Sequence, residues 1–150
     1  MLFIKAKFFF WLLLLERLNT KDLMTRKHFY VEDVNCVLCT DDFNEDLIHL
    51  FFGCEFSKSF WESINYSWDI ELELIEMLME GKQRQNNICF REALLVGCWS
   101  IWNHRNKIIF DNEIFSLDRC LAMFKDSFSL IMCRAKPSLK EGMQQWLDTL

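Results

Sequence analysis

Four side chains able to bind a metal, Cys36, Cys39, His49 and Cys54, fall within nineteen residues in the pattern C-x2-C-x9-H-x4-C. For them to meet, the backbone between them has to double back, so this cluster restricts the fold more than any other feature. A Cys-x2-Cys turn places two sulfurs on one side of an ion, and His49 and Cys54 would add the remaining ligands from the two ends of the Leu50–Gly53 turn. Zinc takes thiolate and imidazole in four-coordinate tetrahedral shells. Such a shell would be complete, with no position left for water or substrate, which points to a structural role and not to hydrolysis. A bare Cys-x2-Cys would read as two incidental cysteines beside a core histidine. Four ligands in so short a stretch favour one structural zinc ion.

Other cysteine and histidine chemistry fits poorly. A zinc deaminase needs H-x-E ahead of P-C-x-x-C, whereas here the cysteine pair comes first, Leu50-Phe51 follows His49, and no proline precedes Cys36. A thioredoxin-like pair needs a strand-to-helix setting, and Cys36 and Cys39 lie among acidic loop residues. His28 and His104 have neither a nucleophile nor an orienting acid at a recognisable spacing, and solvated positions are expected for both. No enzyme is expected. Seven cysteines in 150 residues are too few for a disulfide scaffold. Cys89, Cys98, Cys120 and Cys133 read as small buried hydrophobes in helices. That usage suits a reducing compartment, cytoplasmic or nuclear.

Only four Gly and one Pro are present, while 51% of residues are apolar. The chain should therefore be mainly α, a small helical domain carrying a zinc-binding knuckle with CCHC ligands. Residues 3–18 read as a helix apolar nearly all round, hence buried. Asn19 or Thr20 can cap a short helix over Lys21–His28. Leu47–Phe52 could be a helix end or a strand. Helices are expected from near Glu55 or Ser57, over 70–80, over Ile88–Arg105, and from Leu117 onward with Ser116 as its N-cap. Pro137 should end that last helix, and Ser138-x-x-Glu141 reads as a capping box for a final one. Gly81 with Lys82–Asn87 is the best linker, dividing a zinc-binding domain at 5–70 from a helical extension at 71–150. The run Phe8–Leu15 is too short to span a bilayer, and no small-x-small cleavage site follows it, so neither a membrane nor secretion is expected.

The net charge is −5, which argues against tight non-specific binding to phosphate. Residues 32–46 and 62–80 each carry six acids and no Lys or Arg. A nucleic-acid face would have to use Arg17, Lys21, Arg26 and Lys27 near the first two helices. Arg105 and Lys107, flanked by Trp102 and Phe110, would complete it, since cations and aromatics together meet phosphates and stack bases. Solvated charges and core tryptophans are the plainer alternative, in keeping with a structural or protein-interaction module.

Several segments together resemble the zinc-binding domain that follows the reverse transcriptase in plant LINE-type (non-LTR) retroelements. They are Lys7-Phe-Phe-Phe-Trp-Leu, Arg17-Leu-Asn-Thr-Lys-Asp-Leu23, Cys36-x-x-Cys39, His49-Leu-Phe-Phe-x-Cys54 and Ser57-x-x-Phe60-Trp61. The resemblance covers roughly residues 5–70. Downstream, Trp99-x-x-Trp102-x-x-Arg105-Asn106-x-x-x-Phe110 is similar to the segment that often follows the domain in such elements. The resemblance implies that Cys36, Cys39, His49 and Cys54 are the zinc ligands of a non-catalytic accessory module. It also implies partners: RNA or single-stranded DNA, and other domains of a retroelement polyprotein. A polymerase Tyr-x-Asp-Asp is missing, Tyr30-Val-Glu-Asp33 is a coincidence, and no ribonuclease H pattern follows. The chain is expected to be a detached fragment of such an element.

Overall fold

The computed structural model describes residues 2–150, and regular structure among them is helical. Seven α-helices run α1 (Leu2–Leu14), α2 (Lys21–Arg26), α3 (Glu55–Ser63), α4 (Leu74–Gln85), α5 (Phe90–Asp111), α6 (Leu117–Met132) and α7 (Pro137–Asp148). A single turn of π-type helix, His49–Gly53, precedes α3. One antiparallel bridge, Asn35 to Asn44, is the only extended pairing among the described residues.

The centre of the molecule is α5. It packs against α6, α1 and the π-turn, while α3 lies on α6 and the π-turn, and α7 folds onto α6. Neighbours on several sides explain why Phe90, Ala93, Leu94, Val96, Cys98 and Ile101 are all buried and why no single apolar face stands out in its sequence. Gly97 is what lets α3 come so close. A Cβ there would run into the Trp61 ring, whose own indole N–H donates to the Phe51 carbonyl at 2.7 Å. Trp61, Phe51, Phe52, Phe60, Phe124 and Phe128 are fully buried, and one continuous apolar core extends from Phe9 on α1 to Met143 on α7.

Local rules account for most element boundaries. Thr20 caps α2 by accepting from the Leu23 N–H, and Ser116 caps α6 by accepting from Arg119, both at 3.3 Å. Asn86 and Asn112 end α4 and α5 in the left-handed conformation that asparagine tolerates. Pro137 opens α7 instead of closing α6: with no N–H to lose, it occupies the first turn, and Lys136, not Ser138, is the N-cap. The expected linker is helix for most of its length. Gly81 is buried inside α4 against Trp68, and the helical break is confined to residues 86–89.

Three expectations about burial are corrected. The first helix buries only one face, Ala6, Phe9 and Leu13. Ile4, Phe8, Trp11 and Leu15 form a second stripe at spacings of four, three and four residues, and it is exposed, with Phe8 at 59% and Trp11 at 54%. Cys89, Cys98 and Cys120 are buried as anticipated, but Cys133, at the C-cap of α6, is exposed.

His104 is not a surface residue either. It is buried on α5, stacked on Phe56 with ring centroids 5.4 Å apart, and its Nε2 accepts the Ser116 N–H at 2.9 Å. That bond requires the neutral ring. Burial pulls its pKa below the ordinary 6.5, with Lys107 and Arg119 acting the same way against the raising influence of Glu113. As pH falls the unfolded chain takes up this proton first. The stability His104 contributes is therefore whole above about 6.5 and is lost as pH drops from there toward the lower folded value. Urea midpoints measured between about pH 7.5 and pH 5.5 should fall more for the wild type than for His104→Gln. Equal losses would show that His104 is not the group responsible.

Candidate metal centre

The metal loop is built from three pieces. The first is a short hairpin: Cys36 N–H donates to the Phe43 carbonyl at 2.8 Å and Glu45 N–H to the Val34 carbonyl at 2.9 Å. Its tip is the Cys36–Cys39 turn, where Leu38 N–H points at the Cys36 sulfur from 3.4 Å. The second piece is the π-turn. Five residues along an α-helix put two side chains about 140° apart, which would aim His49 and Cys54 in different directions. The wider π-turn closes with an i→i+5 bond, from Cys54 N–H to the His49 carbonyl at 2.7 Å, and so brings both to the same side. Asp46 starts this turn by accepting the His49 N–H at 2.7 Å. Carbonyls displaced by the widening find donors in α3, Leu50 from the Ser57 hydroxyl and Phe51 from Trp61. The third piece is α3 itself, whose N-cap is Cys54.

These pieces bring the four expected ligands together. The three sulfurs and one imidazole nitrogen all lie within 4.8 Å of one another. Cys36 and Cys54 sulfurs are 4.0 Å apart, and the Cys39 sulfur is 3.5 Å from His49 Nε2. A zinc tetrahedron with Zn–S bonds of about 2.3 Å has edges of about 3.8 Å between sulfurs, so the spacing and the donor set both fit. Cys36 and Cys54 are buried, while Cys39 and His49 are half-buried, with the His49 ring stacked on Phe43.

The thiols perturb one another strongly. Donating a hydrogen bond to Cys54, burial and repulsion between sulfurs push the Cys36 thiol far up. Cys39 is raised by burial and by its charged neighbour Cys54. Cys54 is pulled down to about 6, mainly because it accepts from Cys36, helped by the Phe56 and Ser57 N–H groups at the start of α3 and opposed by burial. Three thiolates cannot share so small a volume without a cation, and a bound dication is what such a shell accommodates.

A clasp outside the ligand set fixes the loop to the rest of the protein. Glu45, fully buried, receives Arg105 of α5 through two bonds, Nε to Oε2 at 2.9 Å and Nη2 to Oε1 at 2.5 Å. The same Oε1 accepts the Lys21 backbone N–H at 2.9 Å, and the Lys21 ammonium donates to the Asn35 carbonyl at 2.6 Å. Arg105 also lies over the Trp102 ring, 4.7 Å from its centroid. Nothing in the spacing of the chain could reveal this pair, since Glu45 is one of six acids in a polar stretch and its partner stands sixty residues away.

The six cations anticipated for nucleic acid are scattered in their roles. Arg105 is withdrawn from that set, because it is only 5% exposed and committed to Glu45. Lys21 is tied to the hairpin, and Arg26 pairs with Asp22 on α2 at 2.9 Å. Arg17, Lys27 and Lys107 are exposed and make no ion pair among the described residues.

With this geometry in view, the comparison with known families is direct. Residues 1–61 match the family model described as zinc-binding in reverse transcriptase. The matched segment contains all four candidate ligands and ends at Trp61, inside α3. No curated protein and no solved structure matches the chain. Among the described residues, no helix is long and apolar enough to cross a membrane.

Proposed function

We propose that this chain is a non-catalytic accessory module of a LINE-type retroelement reverse transcriptase protein, of the kind found in plants. It is organised around one structural zinc ion held by Cys36, Cys39, His49 and Cys54, and it contacts RNA or single-stranded DNA. The observation that carries the reading is the convergence of three sulfurs and one nitrogen within 4.8 Å, inside the segment that matches a reverse transcriptase zinc-binding family. Four protein ligands fill a tetrahedral shell, so the ion holds structure and leaves no position for a reacting water.

A second reading, a zinc-stabilised structural or protein-docking module, draws on the exposed apolar stripe of α1 and the acidic segments. Two measurements decide. Metal analysis after purification under reducing conditions should give about one zinc per chain. Binding of a labelled oligouridine or oligothymidine should weaken steeply with salt, each phosphate contact adding about −0.7 to the slope of log K against log salt. Zinc without salt-dependent binding would leave the structural reading standing and remove the nucleic-acid one.

A further inference from the structure

The geometry points to a specific site for a single nucleic-acid strand: the groove between α1 and α5, where Phe8 and Trp99 offer ring surface, Trp102 forms part of the wall, and Lys5 and Arg17 stand at the rim. This rests on the nucleic-acid reading above and goes beyond it by naming a surface. The groove holds about 360 Å³, within the ~300–1,000 Å³ typical of clefts that seat small molecules.

Charge selects this groove from its neighbours. Four other clefts on the protein each include carboxylates in their walls. They are Asp41, Asp46 and Glu55 beside His49, Glu92 on the other flank of α1, Glu16, Asp22 and Asp46 near α2, and Glu62 beside Trp68. The α1–α5 groove has none among the described residues, and two cations line it. In a chain of net charge −5, a cleft with basic lining and no acid is the place where a polyanion meets least repulsion. An acidic protein segment could satisfy the cations, but the aromatic floor adds a preference for flat rings.

The rings are already fixed in place. Phe9, buried beneath the groove, meets Trp99 edge-on with centroids 5.4 Å apart and lies 6.1 Å from Trp102. Trp99 and Trp102 are half-buried and anchored in the core; part of Trp99 stays open, while the Trp102 ring already carries the Arg105 guanidinium at 4.7 Å and stacks on Phe51. Phe8, mostly exposed, forms the opposite lip and leans on Trp11 at 5.9 Å. A base inserted between the lip and the floor would stack without ordering any new side chain in the floor, and every base has a face to offer. Phosphates on either side would then reach Lys5 and Arg17. Arg17 is thus the one cation foreseen from the sequence that lines this groove, and Lys5 and Phe8 were not foreseen.

The test uses the full zinc-loaded chain and a fluorescein-labelled oligouridine followed by anisotropy at two salt concentrations. Lys5→Glu with Arg17→Glu should weaken binding at least about tenfold and flatten the salt slope by about 1.4, two contacts' worth. Phe8→Ala should weaken binding by roughly fivefold or more through lost stacking. Lys125→Glu with Lys136→Glu, on α6 and at the start of α7 outside the groove, should stay within about twofold of wild type. Unchanged zinc content and helical circular dichroism in each variant show that a loss is local, and Arg17→Lys should retain most of the binding. If the wild type binds but the groove variants behave like the outside pair, the groove assignment is overturned while the nucleic-acid reading survives. A wild type that does not bind at all overturns both. If Phe8→Ala instead converts a dimer to a monomer in sedimentation, the groove belongs to a second copy of the chain and the proposal falls.

Discussion

Replacing Arg105 by methionine should destabilise the zinc-loaded chain by about 3–5 kcal/mol, a loss larger than any surface substitution would cause. The reason is what the change leaves behind. Glu45 is fully buried, and without the guanidinium its charge has only the Lys21 N–H for company. An uncompensated buried carboxylate either stays charged at high cost or takes up a proton and gives up its bonds. Pairing Arg105→Met with Glu45→Gln removes the stranded charge while keeping an oxygen for the Lys21 N–H. That double variant should recover a substantial part of the loss, because a buried ion pair as a whole contributes less than either half misses when alone. Urea unfolding in excess zinc measures both. A single variant within about 1 kcal/mol of wild type would mean that the pair does not secure the loop.

The clasp also bears on where the module ends. Family similarity stops at Trp61, yet Arg105 lies far beyond it and bonds to the segment between the cysteine pair and the histidine. The π-turn rests on α5 as well as α3. The metal loop and the later helices are joined by a buried charge pair and by one continuous core, so the matched segment is physically part of a larger folding unit.

How much of this could be read from the chain depends on the range of the interaction. Thr20 and Ser116 were visible as caps because capping is settled within three residues. The cysteine and histidine cluster was visible because ligand spacing is local, and its four members do converge. Pro137 opens α7 where the sequence alone suggests the end of α6, because proline both stops one helix and suits the first turn of the next. The stretch 47–52 resisted assignment for a different reason: its π-turn belongs to neither period that a sequence pattern detects. Long-range facts were hidden altogether. Whether His104 and Arg105 face solvent or core is decided by Phe56, Ser116 and Glu45, none of them near in sequence. The apolar run of α1 looked buried on all sides, and only the arrangement of the other helices reveals that Ile4, Phe8, Trp11 and Leu15 are left outside.

Cys39→Ser should abolish stoichiometric zinc, taking metal content from about one ion per chain to nearly none, and should loosen the loop from residue 30 to about residue 65. A serine hydroxyl does not ionise in this range and is a poor ligand for a borderline-soft ion. The remaining sulfurs and His49 would then offer three ligands, an open site of much lower affinity. Zinc bound to small folded sites is worth about 10–16 kcal/mol of apparent free energy, and in such sites metal binding and folding are one event. Between its two arms the hairpin has only the Asn35–Asn44 bridge with its two backbone bonds, and the Glu45 and Lys21 clasp anchors its base but not the Cys36–Cys39 tip. By contrast α6 and α7 have their own aromatic packing through Phe124, Phe128 and Trp146, and α5 lies along α6. Hydrogen exchange should therefore rise in the hairpin and π-turn while the α5–α7 helices stay protected. Cys54→Ser should reach further, since Cys54 is completely buried at the junction of the π-turn and α3. Full zinc occupancy in Cys39→Ser would remove that residue from the ligand set, and the geometry of the remaining three would have to find its fourth partner elsewhere.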